Sequence, residues 1–256
     1  MVAVTTPIEP DDLATLVGQH VPGAVLAFDV DGVLAPLVDH VEHSALTAGV
    51  DRLLGELAEH APVALLSGRS LESLRKLLDF PPGVYVIGSH GLEVHGDDRL
   101  ALSNDEQDVY DELVRLGRLA VDACGDGAWL EYKPASVVLH TRQAHGPGVP
   151  DAVGALVATA VAVPGVTVKA GHDVVEVLVR ATDKGTALLE LAARVQAKTL
   201  VFLGDDRTDE DAFTKMGPGD ISVRVGPGDS VARFRLAGTS AVAEFLSTLT
   251  GGLATR

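Results

Sequence analysis

Cysteine is nearly absent from this sequence. Cys124 is the only cysteine among 256 residues, so no disulfide can form within the chain, and nothing indicates an oxidising compartment. No motif surrounds Cys124, and we expect it to be a small buried residue near the end of a helix.

Positive charge is also scarce. The sequence has 20 Lys and Arg residues against 36 Asp and Glu residues, a formal net charge of −16 and a pI near 4.8. Surfaces that bind nucleic acid or anionic membranes need clustered Lys and Arg side chains, so we expect neither partner. An anionic small-molecule substrate would require a local positive pocket in so acidic a protein.

Long hydrophobic runs are missing too. The longest apolar stretch, residues 152–163, is rich in alanine and too short to span a bilayer. The first ten residues have neither the basic region nor the apolar segment of a secretory signal. Hydrophobic residues make up 46% of the chain and charged residues 22%, a composition typical of a folded protein. Without a signal or a spanning segment we expect it to be cytoplasmic, and we also expect a monomer.

Residues 26–34, Leu-Ala-Phe-Asp-Val-Asp-Gly-Val-Leu, hold two carboxylates at the end of an apolar run. Residues 24–28 have the continuous apolar character of a strand buried on both faces. In an extended chain Asp29 and Asp31 point to the same side, and Gly32 then allows a turn. Carboxylates that face each other repel unless they bind a metal ion or share a proton. A solvated turn is the simpler alternative.

Alternating strand and helix patterns surround this motif. Apolar residues recur at helical spacing in some segments, and short apolar runs of strand length separate those segments. This order predicts an α/β fold with a parallel sheet. The predicted strands are 24–28, 62–66, 84–87, 199–203 and 221–225, and the predicted helices are 44–60, 70–78 and 184–197, with one more before the last strand.

The pattern changes near Leu102 and resumes near Lys184. In between, helices are predicted at residues 104–123 and after Pro150, and alternating strands at 129–133, 136–142, 166–170 and 174–179. Helices over an antiparallel sheet would form a small α+β unit. We therefore predict a discontinuous core domain, residues 1–102 and 180–256, and an inserted domain, residues 103–179.

Polar residues follow several predicted strands or open the next helix. They are Asp29 with Asp31, Ser67, Lys184, and Asp205 with Asp206. Because parallel strands present functional residues at their carboxyl ends, we expect these side chains to meet at one edge of the sheet. A lysine at a helix N-terminus opposes the helix dipole by about 0.3–1 kcal/mol, so Lys184 indicates a nearby anion. A solvent-facing Lys184 is the alternative.

The acidic residues among them suit magnesium. Oxygen ligands without sulfur or histidine favour Mg²⁺, which typically uses one or two carboxylates together with water or substrate phosphate. An acidic helix start stabilised by the helix dipole would explain Asp209, Glu210 and Asp211. It explains Asp205 poorly, because Asp205 directly follows a predicted strand and Gly204.

Taken in order, these motifs resemble the phosphatases of the haloacid dehalogenase superfamily. The four signature elements are matched by DVDGVL, LLSGR, DKG and GDDRTDED. Each match is weak alone, but all four occur in order at predicted strand ends. The resemblance implies a Rossmann-like core with a parallel sheet and a smaller inserted α+β cap.

Nearly the whole chain, insert included, resembles the trehalose-6-phosphate phosphatase family. The matching segments are residues 88–93, 130–142, 171–177 and 223–238. Strand periodicity supports the match, because Glu131 and Lys133 share one strand face and His140 and Arg142 share another. Glu176 lies among valines, where a half-buried strand needs no charge. An exposed polar sheet face is the alternative for His140 and Glu176.

The resemblance implies hydrolysis of trehalose 6-phosphate through an aspartyl-phosphate, with Asp29 as nucleophile and Asp31 as general acid and base. The implied ligands of Mg²⁺ are Asp29, Asp31, Asp205 and Asp206, with Asp209 as the alternative to Asp206. The implied phosphate ligands are Ser67, Gly68, Arg69 and Lys184. The implied sugar ligands are His90, Gly91, Glu131, Lys133, Arg142 and Glu176.

Three alternatives stay open at this point. A related capped phosphatase would act on another sugar phosphate, such as a glycosyl-phosphoglycerate or sucrose 6-phosphate. A phosphomutase would share the nucleophile, although residues 88–91 and the insert fit it less well. A silent domain would bind sugar phosphates or regulate a synthase, but such a domain would be expected to lack one or more of the catalytic residues, and all are present.

Overall fold

The computed structural model describes residues 5–38, 43–95, 102–171, 173–180 and 182–255. The chain forms two compact units, Met1–Gly96 with Thr182–Arg256 and Asp97–Ala181, which we call the core unit and the insert unit. The boundaries expected from the sequence lie at residues 102 and 180, and the roles assigned to the two parts stay predictions.

Strands and helices alternate along most of the described chain. The strands are β1 (Thr6–Pro7), β2 (Ala24–Phe28), β3 (Val63–Leu66), β4 (Val84–Gly88), β5 (Glu93–Val94), β6 (Trp129–Lys133), β7 (Ser136–His140), β8 (Thr167–Gly171), β9 (Val174–Leu178), β10 (Thr199–Gly204), β11 (Ile221–Val225) and β12 (Phe234–Leu236). The helices are α1 (Pro10–Gly18), α2 (Val50–Ala58), α3 (Leu71–Leu77), α4 (Asn104–Cys124), α5 (Val149–Val161), α6 (Lys184–Arg194), α7 (Arg207–Lys215) and α8 (Thr239–Ala254).

A mostly parallel sheet forms the core unit, with the strand order β1-β12-β11-β10-β2-β3-β4-β5. Neighbouring strands pair in parallel except β4 and β5. All five residues of β2 are buried. Leu26 and Phe28 pack with α1, α2 and α8, whereas Val25 and Ala27 pack with α6 and α7. Burial on both faces explains the unbroken apolar runs, and the predicted α/β fold is confirmed.

Side-chain caps explain where several core helices begin. Ser70 accepts a hydrogen bond from Ser73 N at the start of α3, as the sequence predicts, and Asp183 accepts one from Thr186 N at the start of α6. The predicted start of α2 at residue 44 is wrong. A turn closed by Val50 N and Thr47 O precedes this helix, and Gly49 has a φ of 79°, outside the helical range.

Sequence patterns missed the helices α1 and α8, which pack against one another in the core unit. α8 contains Gly251 and Gly252, which are poor helix formers, so its sequence pattern is weak. Burial of Phe245, Leu246 and Leu249 stabilises it instead. Within the described residues no helix combines the length and the apolarity that a membrane crossing requires.

The insert unit is a four-stranded antiparallel sheet of order β6-β7-β9-β8. α4 and α5 pack on one face of this sheet, against alternate residues that include Val137, Leu139 and Val177. α4 begins with a capping box formed by Ser103 and Glu106. The opposite face, which we call the polar sheet face, carries the side chains of Trp129, Glu131, Lys133, Ser136, His140, Lys169 and Glu176.

The predicted strand end at Arg142 is wrong, because β7 ends at His140. Ala144 N donates to Thr141 O, and this turn takes the chain out of the sheet. His140 and Arg142 therefore do not share a strand face, since Arg142 lies in the turn and is exposed. Period-2 spacing identifies faces within a strand but does not show where the strand stops.

Two leucines of α4 give a matched test of the insert core. Leu113 is fully buried, whereas Leu119 is 53% exposed. Leu113→Ala should lower the free energy of unfolding by about 2–5 kcal/mol, because it removes buried methyl groups and leaves a cavity. Leu119→Ala should change it by less than about 0.5 kcal/mol. Urea unfolding followed by circular dichroism measures both, and equal losses would contradict the packing described here.

Candidate active site

The carboxyl ends of neighbouring parallel strands line a cavity of about 470 Å³ in the core unit. The adjacent strands β3, β2 and β10 lead into Ser67, Asp29 and Asp205. The predicted site residues that line this cavity are Asp29, Asp31, Ser67, Gly68, Arg69, His90, Lys184, Asp205 and Asp206. The fold thus brings together side chains from five distant segments of the chain.

Lys184 connects two of the carboxylates. Its Nζ lies 2.9 Å from Asp29 Oδ2 and 2.8 Å from Asp209 Oδ1, and its side chain is only 2% exposed. Burial opposes the charge of this ammonium group, but Asp29 and Asp209 outweigh that effect and raise the pKa of Lys184. The two aspartates supply the anions that a lysine at the first position of α6 requires.

Asp29 has a donor near each carboxylate oxygen. Val30 N donates to Oδ1 at 2.7 Å, and Oδ2 faces the Lys184 ammonium group. Burial raises the pKa of Asp29 well above its usual range, and the charge of Lys184 offsets only part of that increase. Another cation beside Asp29 would therefore favour its ionised form.

Asp29, Asp205 and Asp209 each bring one carboxylate oxygen into a group whose atoms lie within 4.8 Å of one another. Asp205 Oδ1 is buried and has no hydrogen-bond partner among the described residues. Burial, followed by the charges of Asp209 and Asp206, raises the pKa of Asp205 to about 6. A buried, unpartnered carboxylate oxygen repelled by its neighbours suits a hard cation, so these residues fit Mg²⁺.

Asp206 and Asp209 hold the loop between β10 and α7. Asp206 Oδ1 caps α7 by accepting from Asp209 N at 3.0 Å. In return, Asp209 Oδ2 accepts from Asp205 N at 2.8 Å and Asp206 N at 3.0 Å. Burial opposes the ionisation of Asp206, but Lys184 and the hydrogen bonds outweigh it and lower the pKa of Asp206. Asp209, rather than Asp206, belongs to the three-carboxylate group.

Asp31 and Arg69 form a two-point ion pair. Arg69 Nε lies 2.6 Å from Asp31 Oδ2, and Arg69 Nη2 lies 2.6 Å from Asp31 Oδ1. This bidentate geometry is the strong form of a carboxylate–guanidinium contact. Arg69 therefore binds Asp31 in this structure, whereas the family resemblance implies a phosphate contact for it.

The turn after β4 is strained and is fastened to the loop after β3. Ser89 and His90 have φ angles of 49° and 54°, which non-glycine residues seldom adopt and which often mark functional sites. Ser89 N donates to Arg69 O, and His90 N donates to Ser67 O. Ser67 Oγ accepts from Arg69 N at 3.1 Å, so its own hydrogen can be donated to a ligand.

Three of the predicted sugar-binding residues of the insert unit, Glu131, Lys133 and Glu176, form polar contacts on the polar sheet face. Glu176 Oε1 accepts from Ser136 Oγ at 2.7 Å and from Lys133 Nζ at 3.2 Å. Burial opposes the ionisation of Glu176, but the hydrogen bond from Ser136 and the charge of Lys133 lower its pKa overall. His140 Nε2 lies 3.1 Å from Glu131 Oε2. Charged groups thus share one sheet face in this unit.

Sequence reasoning missed three features of these sites. It did not identify Asp209 as the partner of Lys184, although the run GDDRTDED contains that residue. Leu37 and Val38 line the cavity and are 72% and 43% exposed. Trp129, at the start of β6, was not singled out. No local pattern marks these features, because each depends on a neighbour or on exposure in the folded chain.

Comparison with known proteins identifies related sequences. A family model described as trehalose-phosphatase matches residues 27–248. The trehalose-phosphate phosphatase of Mycobacterium marinum is 33% identical over 258 residues, which cover 93% of this chain and 64% of that protein. The chain therefore spans less than two thirds of the length of this relative.

Solved structures share the fold. A trehalose-6-phosphate phosphatase from Aspergillus fumigatus is 24% identical with a TM-score of 0.74, and the match covers 97% of this chain and 100% of that one. The C-terminal domain of trehalose-6-phosphate phosphatase from C. albicans is 21% identical with a TM-score of 0.69, covering 98% and 99% of the two chains. Identities this low establish the common fold alone.

Asp205 and Asp206 should respond oppositely to removal of their charge. Asp205→Asn should raise the melting temperature of the protein in EDTA at pH 7.5, because it removes a buried carboxylate with a raised pKa. This gain in melting temperature should shrink as the pH falls below about 6, because Asp205 of the folded wild type then becomes protonated and loses its buried charge. Asp206→Ala should lower the free energy of unfolding by about 0.5–2 kcal/mol, because α7 loses its cap.

Thermal unfolding between pH 4.5 and 8 measures both effects. Adding Mg²⁺ should raise the melting temperature of the wild type and of Asp206→Ala more than that of Asp205→Asn. Similar losses of stability in the two variants, with equal responses to Mg²⁺, would contradict the assigned roles.

Gly68 and His90 should be coupled. A methyl group at Gly68 would lie 2.7 Å from His90 Cε1 and 2.8 Å from His90 Nε2. Gly68→Ala should therefore cost about 1–3 kcal/mol of unfolding free energy through overpacking. In a His90→Ala background the same substitution should cost much less, and a double-mutant cycle by urea unfolding measures the difference. Additive costs would show that the His90 ring is not the source of the destabilisation.

Proposed function

Because the chain belongs to the trehalose-phosphatase family, we propose that it hydrolyses trehalose 6-phosphate to trehalose and inorganic phosphate. The observation that carries this proposal is the buried Asp29 at the end of β2, paired with Lys184 and adjoining the carboxylates of Asp205 and Asp209. A nucleophile, a fixed cation and a place for a divalent metal are the parts that transfer of a phosphoryl group to a carboxylate requires.

Asp29 performs the first step of the proposed reaction. Its carboxylate oxygen attacks phosphorus, the bond between phosphorus and the sugar oxygen breaks, and an aspartyl-phosphate forms. Asp31 donates a proton to the departing sugar oxygen. Both oxygens of Asp31 contact Arg69 in the structure, so this step requires Arg69 to release one of them.

The second step regenerates the enzyme. Asp31 accepts a proton from a water molecule, whose oxygen attacks phosphorus, and the bond between phosphorus and Asp29 breaks to release phosphate. Ser67 Oγ, Gly68, Arg69 and the Lys184 ammonium group hold the phosphate oxygens during both steps. Lys184 is well suited to this role because the two aspartates favour its charged form.

Mg²⁺ is the proposed cofactor. Asp29, Asp205 and the backbone carbonyl of Asp31 would hold it. Asp209 belongs to the three-carboxylate group, whereas Asp206 caps α7. When bound, the ion neutralises charge so that an anionic carboxylate can approach an anionic phosphate. The unpartnered oxygen of Asp205 supports this assignment.

Recognition of the sugar is assigned to residues of both units. His90 and Gly91 belong to the strained turn of the core unit, and Glu131, Lys133, Arg142 and Glu176 belong to the insert unit. Carboxylates accept hydrogen bonds from hydroxyl groups, and Lys and Arg donate them. We further propose a cytoplasmic, monomeric enzyme whose partner is this small-molecule substrate.

Phosphate release from trehalose 6-phosphate, with Mg²⁺ and with EDTA, tests the proposal. We expect Mg²⁺-dependent release that exceeds, by ten-fold or more in kcat/KM, release from glucose 6-phosphate, sucrose 6-phosphate and a glycosyl-phosphoglycerate. Asp29→Asn should abolish turnover, because an amide cannot form the phosphoenzyme. Lys76→Met, on the exposed face of α3, is the matched control and should retain wild-type activity.

Other outcomes separate the alternatives. Preference for a different ester would keep the core chemistry and change the assignment of the insert unit. No activity on any ester, in a protein that unfolds cooperatively, would favour a regulatory sugar-phosphate-binding domain. Turnover by Asp29→Asn at the wild-type rate would exclude Asp29 as the nucleophile.

A further inference from the structure

The only tryptophan of the chain lies on the polar sheet face of the insert unit. Trp129 begins the edge strand β6, and its side chain is paired across the strands with that of His140. The two rings are stacked, with centroids 4.0 Å apart and planes within 6° of parallel. Trp129 nevertheless remains 50% exposed.

This indole ring is held in a defined orientation. His140 packs along one of its faces, and His140 is itself oriented by Glu131, whose Oε2 lies 3.1 Å from His140 Nε2. A large aromatic side chain that is fixed and still half-exposed offers apolar area at little further entropic cost. Tryptophan is also enriched among the residues that contribute most to binding energy at protein interfaces.

The charges beside Trp129 indicate which kind of ligand it takes. The polar sheet face carries the carboxylates of Glu131 and Glu176 and the ammonium groups of Lys133 and Lys169. Lys133 contacts Glu176, and Lys169 is the cross-strand neighbour of Glu176. A face with equal numbers of positive and negative groups does not select a phosphate, but it offers many donors and acceptors to an uncharged ligand rich in hydroxyl groups.

We propose that Trp129 is a specificity residue that stacks on the sugar ring without the phosphate, next to the Glu131 carboxylate already assigned to the hydroxyl groups of the sugar. A pyranose ring has an apolar face of C–H groups and a rim of hydroxyl groups, which match an indole face with a carboxylate beside it. This assignment rests on the proposed function, because it identifies the part of the substrate that the insert unit recognises.

Fluorescence tests the contact directly, because emission from tryptophan in this protein arises from Trp129 alone. Asp29→Asn protein, which should not turn over, is titrated with trehalose, with trehalose 6-phosphate and with inorganic phosphate. The two sugars should change the emission with a saturable dependence on concentration, and inorganic phosphate should not. No change with either sugar would overturn the proposal.

Kinetics of two variants separate recognition from stability. Trp129→Ala should raise KM for trehalose 6-phosphate about ten-fold, with kcat changed less than two-fold and hydrolysis of p-nitrophenyl phosphate unchanged. Trp129→Phe, which keeps an aromatic face, should have a KM close to that of the wild type. Tyr132→Ala is the matched control, because Tyr132 lies on the same strand, is 51% exposed and belongs to the opposite sheet face.

The outcomes distinguish this proposal from the function on which it rests. Wild-type hydrolysis of trehalose 6-phosphate with an unchanged KM in Trp129→Ala would overturn the stacking role and leave the function intact. Equal losses of kcat/KM in Trp129→Ala and Tyr132→Ala, on both substrates, would show that Trp129 only stabilises the insert unit. That result would also overturn the stacking role. No hydrolysis of trehalose 6-phosphate by the wild type would contradict the proposed function, whereas a saturable trehalose signal would still support the sugar contact.

Discussion

The core unit depends on one buried ammonium group that stabilises several carboxylates. Lys184 contacts Asp29 and Asp209, and its side chain is almost fully enclosed. Removing charges from water is costly unless each has a partner, and one lysine cannot balance Asp29, Asp205 and Asp209 together. Backbone N–H groups supply the additional donors: Val30 N to Asp29, and Asp205 N and Asp206 N to Asp209. These bonds restrict the loops after β2 and β10 to one arrangement.

The order of the strands makes this arrangement available. β10, β2 and β3 are neighbours in the sheet, so the residues that follow them meet although they come from distant parts of the sequence. Lys184 reaches them from the start of α6, a position that would be unfavourable for a cation without its two carboxylates. The close fit leaves no room for a side chain at Gly32, where an added Cβ would lie 2.1 Å from Asp205 Oδ2.

Sequence patterns predicted the central strands well, because burial on both faces leaves an unmistakable signal. β2 and β11 have the predicted bounds, and the residues after β2, β3 and β10 were identified as candidates. Element ends were less predictable, as the start of α2 and the end of β7 show, because turns closed by backbone hydrogen bonds determine them. The pairing of Arg69 with Asp31 and the stacking of Trp129 on His140 had no sequence signal, since each joins residues whose proximity only the fold creates.

The cavity of the core unit is not the positive pocket that an anionic substrate would require. The cavity is lined by the carboxylates of Asp29, Asp31, Asp205 and Asp206, whereas its lysine and arginine are Lys184 and Arg69, both already paired with aspartates. When all four carboxylates are ionised they outnumber the two cationic side chains, so the lining alone would repel a phosphate dianion. A divalent cation at Asp205 would cancel this excess of negative charge, so phosphate affinity should depend on the bound metal. The polar sheet face of the insert unit has no such excess of charge, so the proposed recognition of an uncharged sugar ring there would not require the metal.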